Sequence, residues 1–214
     1  MKLVWSPETA SKAYIDTIKS FEARQESGVP ELVAAMAAGW NAQLIVETWS
    51  RGGVIATSVG LAVAGRHTLG RHVCVVPDEV SRSEYLEAIR AAGGAAAEMI
   101  VGEPESAMEE LEEIEFMVID SRRSDYSKVL RMAKLSSRGA VLVCKNAASS
   151  GAGDASRWLS VVEGGSRRLV RSVFLPVGEG LDIAHVASTG GGKGQSRWIK
   201  HWDQRSGEEI VIRK

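Results

Sequence analysis

A chain of 214 residues can bury a full hydrophobic core without disulfide or metal staples. Its 44% hydrophobic and 25% charged residues exclude a disordered polymer, and a formal net charge of -1 excludes an overall basic field that recruits nucleic acid. Two cysteines, Cys74 and Cys144, lie far apart inside apolar runs. That predicts buried thiols in a reducing compartment rather than a disulfide framework.

The first residues lack a continuous apolar segment of the secretory kind, and Glu8 stands against a transit peptide. The apolar stretches are about strand length, too short to span a bilayer. The expected location is cytoplasmic, with the nucleus as a second option, and no membrane partner is expected.

In chain order, residues 7–26 read as a helix with Ser6 as N-cap and Pro7 at its first position. A second helix over 30–38 ends at Gly39. The first strand, 43–47, closes at Gly52-Gly53, and a small, apolar helix over 57–66 follows. The second strand, 72–76, is stopped by Pro77 and leads into Asp78-Glu79. Tyr85, Leu86 and Ile89 mark a helix over 83–92.

A third strand over 98–101 precedes a helical repeat of Met108, Leu111 and Ile114, and a fourth occupies 115–120. Tyr126, Val129, Leu130 and Ala133 share one face of a helix over 125–133, and the fifth strand covers 140–144. Residues 147–156 then read as a loop. Within 168–186, two strands joined at 176–180 form an antiparallel hairpin, the first of them over 171–175.

Continuously apolar strands alternating with helices imply right-handed βαβ units and a sheet covered on both faces. The expected fold is therefore α/β, a doubly wound, mostly parallel sheet ending in an antiparallel hairpin. A single core over 43–188 would carry N-terminal helices over 1–42 packed on it. Residues 189–214 would form a Gly-rich, then basic and Trp-bearing, extension.

Ligands of such sheets bind beyond the carboxyl ends of the strands. Here those ends carry Glu47 with Gly52-Gly53, Asp78-Glu79, Gly102-Glu103 and Asp120. Glycines allow backbone amides to approach a ligand, and an acid after the second strand can accept ribose hydroxyls. Acids also cap helices that follow strands, so each feature has a purely structural alternative. Together they point to a nucleoside-type ligand.

The stretches Phe116-Met117-Val118-Ile119-Asp120, Gly139-Ala140-Val141-Leu142-Val143 and Leu175-Pro176-Val177-Gly178-Glu179-Gly180-Leu181-Asp182-Ile183 resemble the cation-dependent O-methyltransferases of the caffeoyl-coenzyme A and catechol type. More narrowly, Leu3-Val4-Trp5-Ser6-Pro7-Glu8, Ala13-Tyr14-Ile15-Asp16 and Arg197-Trp198-Ile199-Lys200 resemble a plant family of unassigned function, described as Rossmann-like and methyltransferase-like. The resemblance implies the Rossmann-type methyltransferase architecture, S-adenosylmethionine as cofactor and a homodimer. By the same resemblance Glu47 and Gly53 fall in the cofactor turn, with Trp49 in place of its first glycine. Asp78 or Glu79 falls near the ribose acid, and Gly102 and Glu103 where the adenine is edged.

The resemblance also implies a metal site, from which this sequence departs. Asp120 and Asn146 match two of the ligands, but Lys145 replaces the middle carboxylate, and Arg123 stands where the general base is expected. Arginine stays protonated and makes a poor base. Exchanging a carboxylate for an ammonium changes the local charge by about two units, so no metal is expected. The Lys145 ammonium is expected to neutralise Asp120 instead. Trp49 would fill part of the methionine pocket, stack on another ligand, or pack on the N-terminal helices.

Other motifs are set aside. Residues 190–194 lack the leading glycine and the Ser or Thr of a phosphate loop, and the four histidines have no metal-ligand spacing. Residues 197–202 mix cations with tryptophans, as a nucleic-acid surface does, though covering a sheet edge is the simpler role.

Two functions compete. One is a metal-free methyltransferase whose Arg122, Arg123 and Lys145 suit an anionic acceptor, with Asp120 and Asn146 as further candidates for the chemistry. The other is a non-catalytic descendant that keeps the fold for binding or regulation. A nucleic-acid-associated protein is a third, weaker reading.

Overall fold

Ser6 starts the first helix as its side chain predicts. Its carbonyl accepts from the Ala10 amide, and its hydroxyl lies 3.3 Å from the Thr9 amide and 2.7 Å from the Thr9 hydroxyl. This helix, α1, spans Pro7–Ser20. The computed structural model describes residues 5–20, 28–122, 126–150, 158, 169–187, 198–202 and 209–213. The expected continuation of α1 to residue 26 lies outside them.

Helix α2 (Val29–Gly39) follows, then β1 (Leu44–Thr48), α3 (Ala56–Thr68), β2 (Arg71–Val76), α4 (Glu79–Ala91) and β3 (Glu98–Val101). The chain continues through α5 (Pro104–Glu110), β4 (Phe116–Asp120), α6 (Tyr126–Met132), β5 (Ala140–Lys145) and a 3-10 turn at Ala147–Ser150. It ends with β6 (Leu169–Leu175), β7 (Leu181–Val186), β8 (Trp198–Trp202) and β9 (Glu209–Arg213). Seven strands form one sheet in the order β3-β2-β1-β4-β5-β7-β6; β8 and β9 pair antiparallel in a second. The first five strands are parallel, and β7 runs antiparallel to both β5 and β6.

This is the doubly wound sheet with its terminal hairpin. Within the expected 189–214 extension, β8 and β9 pair with one another, a pairing for which no strand was specified from the sequence. The helical repeat around Met108 is shorter than its spacing implied. Leu111 already has extended backbone at the end of α5, and Ile114 forms an isolated bridge with Leu135.

Alternate residues of each strand feed opposite faces. One face packs Val46, Met117, Leu142 and Ala184 against Met108, Val129 and Leu130 of α5 and α6. The other packs Ile45, Val118, Val143 and Ile183 against Val33 and Ala37 of α2 and Leu61 of α3. Each of these Val, Leu, Ile and Met side chains, fully buried, contributes about 1.5–3 kcal/mol.

Helices α2 and α3 approach closely at Gly60, where a Cβ would lie 2.5 Å from the Pro30 carbonyl oxygen. The first turns of both helices lie near the carboxyl end of β5, where Val29, Pro30 and Thr57 share a cavity with Lys145 and Asn146. Among the described residues, no helix is long and apolar enough to cross a membrane.

Candidate functional site

The sheet order reverses between β1 and β4, both of which begin beside each other and send their crossovers in opposite directions. At such a switch the strand ends diverge and leave a crevice. The predicted residues follow the carboxyl ends of β1 to β5, except Arg123, which lies outside the described residues; of them, Lys145 and Asn146 line a cavity, and Glu47, Trp49, Gly52, Gly53, Asp78, Glu79, Gly102, Glu103 and Asp120 do not.

Glu47 reaches the end of β1 but faces inward, with its residue 1% exposed. One carboxylate oxygen accepts from Ser58 at 2.9 Å; the other lies 3.1 Å from His72 Nε2 and 3.2 Å from the Tyr85 hydroxyl that donates to it. Burial pushes this carboxyl up, but His72, the nearby Lys145 charge and Ser58 outweigh it and hold it below its ordinary value. Glu47 thus ties β1 to β2, α3 and α4. The same burial, with Glu47 nearby, pushes the Tyr85 hydroxyl far up, so it stays a donor.

Trp49 is 3% exposed and packs with Val59, Cys74, Val76, Tyr85 and Ile89, edge-on to Tyr85 at a ring separation of 5.5 Å. It neither enters a pocket nor joins the N-terminal helices. The register explains this: Trp49 follows Glu47 on the same side of the strand, above β2 rather than beneath α1. Gly53 is a consequence, since a Cβ there would lie 2.8 Å from both Trp49 Nε1 and the Ser50 carbonyl oxygen.

Gly52 has the left-handed φ of 72°. Its amide donates to Glu84 of α4 at 3.2 Å, and Arg51 pairs with the same carboxylate at 3.1 Å. A turn expected to offer free amides is bridged by a side chain.

After β2, Asp78 caps α4, accepting from the Ser81 amide at 2.6 Å, and that bond holds its carboxyl below the ordinary value. Glu79 is exposed and pairs with Arg82 at 3.1 Å. After β3, Gly102 (φ 151°) has open space where a Cβ would stand, and Glu103 is exposed at the start of α5. Asp78, Glu79, Gly102 and Glu103 therefore line an open edge.

At the ends of β4 and β5, Asp120 and Lys145 are register partners. Asp120 is closed by Arg122, whose Nη2 lies 2.7 Å away and whose backbone amide donates at 3.0 Å, and by Asn146 Nδ2 at 2.9 Å. Burial pushes the Asp120 carboxyl up, yet these bonds and the charge on Lys145 hold it below its ordinary value. The expected neutralisation of Asp120 by Lys145 acts through space, the charge on Lys145 being one cause that holds the carboxyl down, while the direct partners are Arg122 and Asn146. Arg122 follows the strand end by two residues and folds back onto the carboxylate, so it occupies the oxygens first.

The Lys145 residue is 7% exposed and makes no hydrogen bond or ion pair through its ammonium among the described residues. Its open side is a cavity of about 180 Å³. Val29 and Pro30 of α2, Val54 and Thr57 before and within α3, Arg122 and Asn146, and the 178–181 segment of the β6–β7 turn line the rest. That turn is fixed over β5 by Ala147 and Ala148 amides, which donate to the Gly180 and Glu179 carbonyls at 3.0 and 2.9 Å.

Asp120, Lys145 and Asn146 do not fit a divalent cation. A hard cation needs several anionic oxygens, whereas this set holds one carboxylate, already engaged, beside a fixed ammonium. Among the described residues, no three His, Cys, Asp or Glu side chains gather as a ligand set. Cys74 and Cys144 are both buried, and burial, the largest cause, pushes each thiol well above its ordinary value. Neither is poised as a nucleophile.

The family model described as "Protein of unknown function (DUF1442)" matches residues 1–214. The chain belongs to this DUF1442 family. No curated protein matches the sequence. Among solved structures, a methyltransferase from Geobacter sulfurreducens is 20% identical, with 86% of this chain and 91% of that chain covered and a TM-score of 0.57. The O-methyltransferase TomG from Streptomyces achromogenes, solved with SAM, is 20% identical over 87% and 92% of the two chains, at a TM-score of 0.53. An SAH-bound Podospora anserina methyltransferase is 16% identical over 86% and 89%, at 0.54. These likenesses establish the methyltransferase-type Rossmann fold for the DUF1442 chain.

The sequence missed the partners more than the positions. Ser58, His72, Tyr85 and Glu84 were not recognised as groups that engage Glu47 and the β1 turn. A signal existed for His72: it is a polar residue inside an apolar strand, on the face that carries Glu47 once the Ile45–His72 register is known. No local pattern marked Glu84.

Proposed function

We propose that this protein binds S-adenosylmethionine or a related nucleoside across the carboxyl ends of β1, β2 and β3, and does so without a divalent metal. The sheet reversal between β1 and β4 supports the reading, because ligands of such sheets bind beyond the strand ends at that switch, and Asp78, Glu79, Gly102 and Glu103 follow the ends of β2 and β3. Asp78 or Glu79 would accept the ribose hydroxyls, and the open Gly102 backbone would edge the base. When bound, S-adenosylmethionine would supply an electrophilic methyl group. The acceptor would face the Lys145 side of the crevice.

A second reading is favoured by a specific observation: the β1 turn has structural partners in place of a ligand. Glu47 is engaged by Ser58, His72 and Tyr85, Trp49 is core, and Glu84 takes the Gly52 amide. On that reading the chain is a non-catalytic descendant that binds or regulates. The test is calorimetry and thermal shift of the full chain with S-adenosylmethionine and S-adenosylhomocysteine. Saturable binding with a raised melting temperature supports the nucleoside reading. Absence of both at millimolar ligand removes it and leaves the non-catalytic one. Retention of neither DNA nor RNA at low salt is expected.

A further inference from the structure

The cavity beneath the β6–β7 turn has a chemical character of its own. Lys145 carries three N–H donors in a residue that is 7% exposed, and none of them meets an acceptor among the described residues. The two carboxylates on which its charge acts have other donors. Glu47 takes Ser58, His72 and Tyr85; Asp120 takes Arg122 and Asn146. Both act on Lys145 only through space. Its nitrogen is also not among the fully enclosed, unpartnered polar atoms, so it keeps an opening, and the cavity is what it lines.

A second element faces the same space. The first turn of α3 has no side-chain cap and no acidic residue, and Thr57 at that turn lines the cavity. First-turn amides have no acceptor within their own helix and favour negative charge. The neighbouring α2 contributes less, because its first turn already contains the buried Glu31. Arg122 adds a guanidinium at the rim, while Glu179 sets one negative charge on the exposed turn.

We infer that this cavity is an oxyanion site, in which the Lys145 ammonium and the first turn of α3 receive a phosphate or carboxylate group of a small ligand. At about 180 Å³ it is smaller than the roughly 300–1,000 Å³ typical of whole drug-sized ligands. It holds the charged end of a molecule, and the remainder extends into the crevice. The inference names a chemical class for the acceptor side but does not depend on nucleoside binding. The neighbouring carboxylates oppose a second negative charge and keep the affinity modest.

The experiment titrates the full chain with sodium phosphate and, separately, sodium acetate, against sodium chloride of equal ionic strength, with and without S-adenosylhomocysteine. Calorimetry and thermal shift give affinity; amide resonances of Val29, Thr57 and Gly180 give location. Saturable one-to-one binding is expected for at least one anion, phosphate pointing to a phosphoryl ligand and acetate to a carboxylate. Lys145→Met should weaken it by about tenfold or more, and Lys145→Arg should largely restore it. No saturable binding, equal affinity in Lys145→Met, or shifts confined to other surfaces would overturn the inference. Should Lys145→Met fail to fold, the resonance map of the natural chain decides alone. Failure with S-adenosylhomocysteine while an anion binds rejects only the nucleoside reading.

Discussion

Asp120 and Lys145 sit side by side at the ends of β4 and β5, yet the Asp120 carboxylate is closed by Arg122 and Asn146 rather than by the lysine. Two cations therefore crowd one carboxylate, and one of them is left facing a cavity. This arrangement bears directly on metal binding.

The natural chain should show no saturable heat with magnesium or calcium in the micromolar range. Lys145→Asp removes a cation and adds an anionic oxygen donor, but Arg122 still engages Asp120. The double variant Arg122→Ala/Lys145→Asp should therefore bind magnesium or calcium more tightly than either single variant. Calorimetry checks the order, and equal affinities in all variants would contradict the charge argument.

Glu47 supports the fold through three side chains from three elements. Glu47→Ala leaves their polar groups unpaired in the interior and should destabilise by about 3–5 kcal/mol. Tyr85→Phe removes one hydrogen bond to the same charged carboxylate and should cost about 1.5–3 kcal/mol. Urea midpoints measure both.

The acid response follows from the direction of the Glu47 shift. Its folded-state value lies below the ordinary one, so its contribution is fully present above the unfolded value, about 4.3, and is lost as pH falls through the folded value. Stability should drop on acidification below about pH 4.3, and Glu47→Gln should flatten that drop. Identical pH profiles for the two proteins would refute this.

Glu84 bridges the Gly52 amide and Arg51 at the surface. Glu84→Ala should change stability little, as exposed pairs contribute weakly, while freeing the turn. Affinity for S-adenosylhomocysteine should rise by several-fold or more in calorimetry. An unchanged affinity means that the ligand does not use this amide.

Asp78 has two candidate roles that one substitution separates. Asp78→Ser preserves a helix-capping oxygen but removes the carboxylate. Melting temperature should stay near that of the natural chain while S-adenosylhomocysteine affinity falls. A ribose-binding acid and a pure cap differ in the second readout alone.

Trp49 illustrates how far local sequence reasoning reaches. Its position just after β1 placed it in the cofactor turn, but the direction of its side chain depended on which helix covers that side of the strand. Gly53 shows the same limit from the other side. Its glycine serves a close approach to Trp49, which no neighbouring residue announces.

The sequence by itself determined the order of strands and helices from α1 to β7, the hairpin after β5 and the residues that follow the strand ends. Apolar runs, Ser6 and the turn glycines act locally, so they are visible along the chain. Only the tertiary structure decided what those end residues touch. Whether Lys145 meets Asp120, or Arg122 reaches it first and leaves the ammonium facing a cavity, depends on side chains from separate strands and loops. Burial then multiplies the consequence, because a charge withdrawn from water is governed by the few partners the fold places around it.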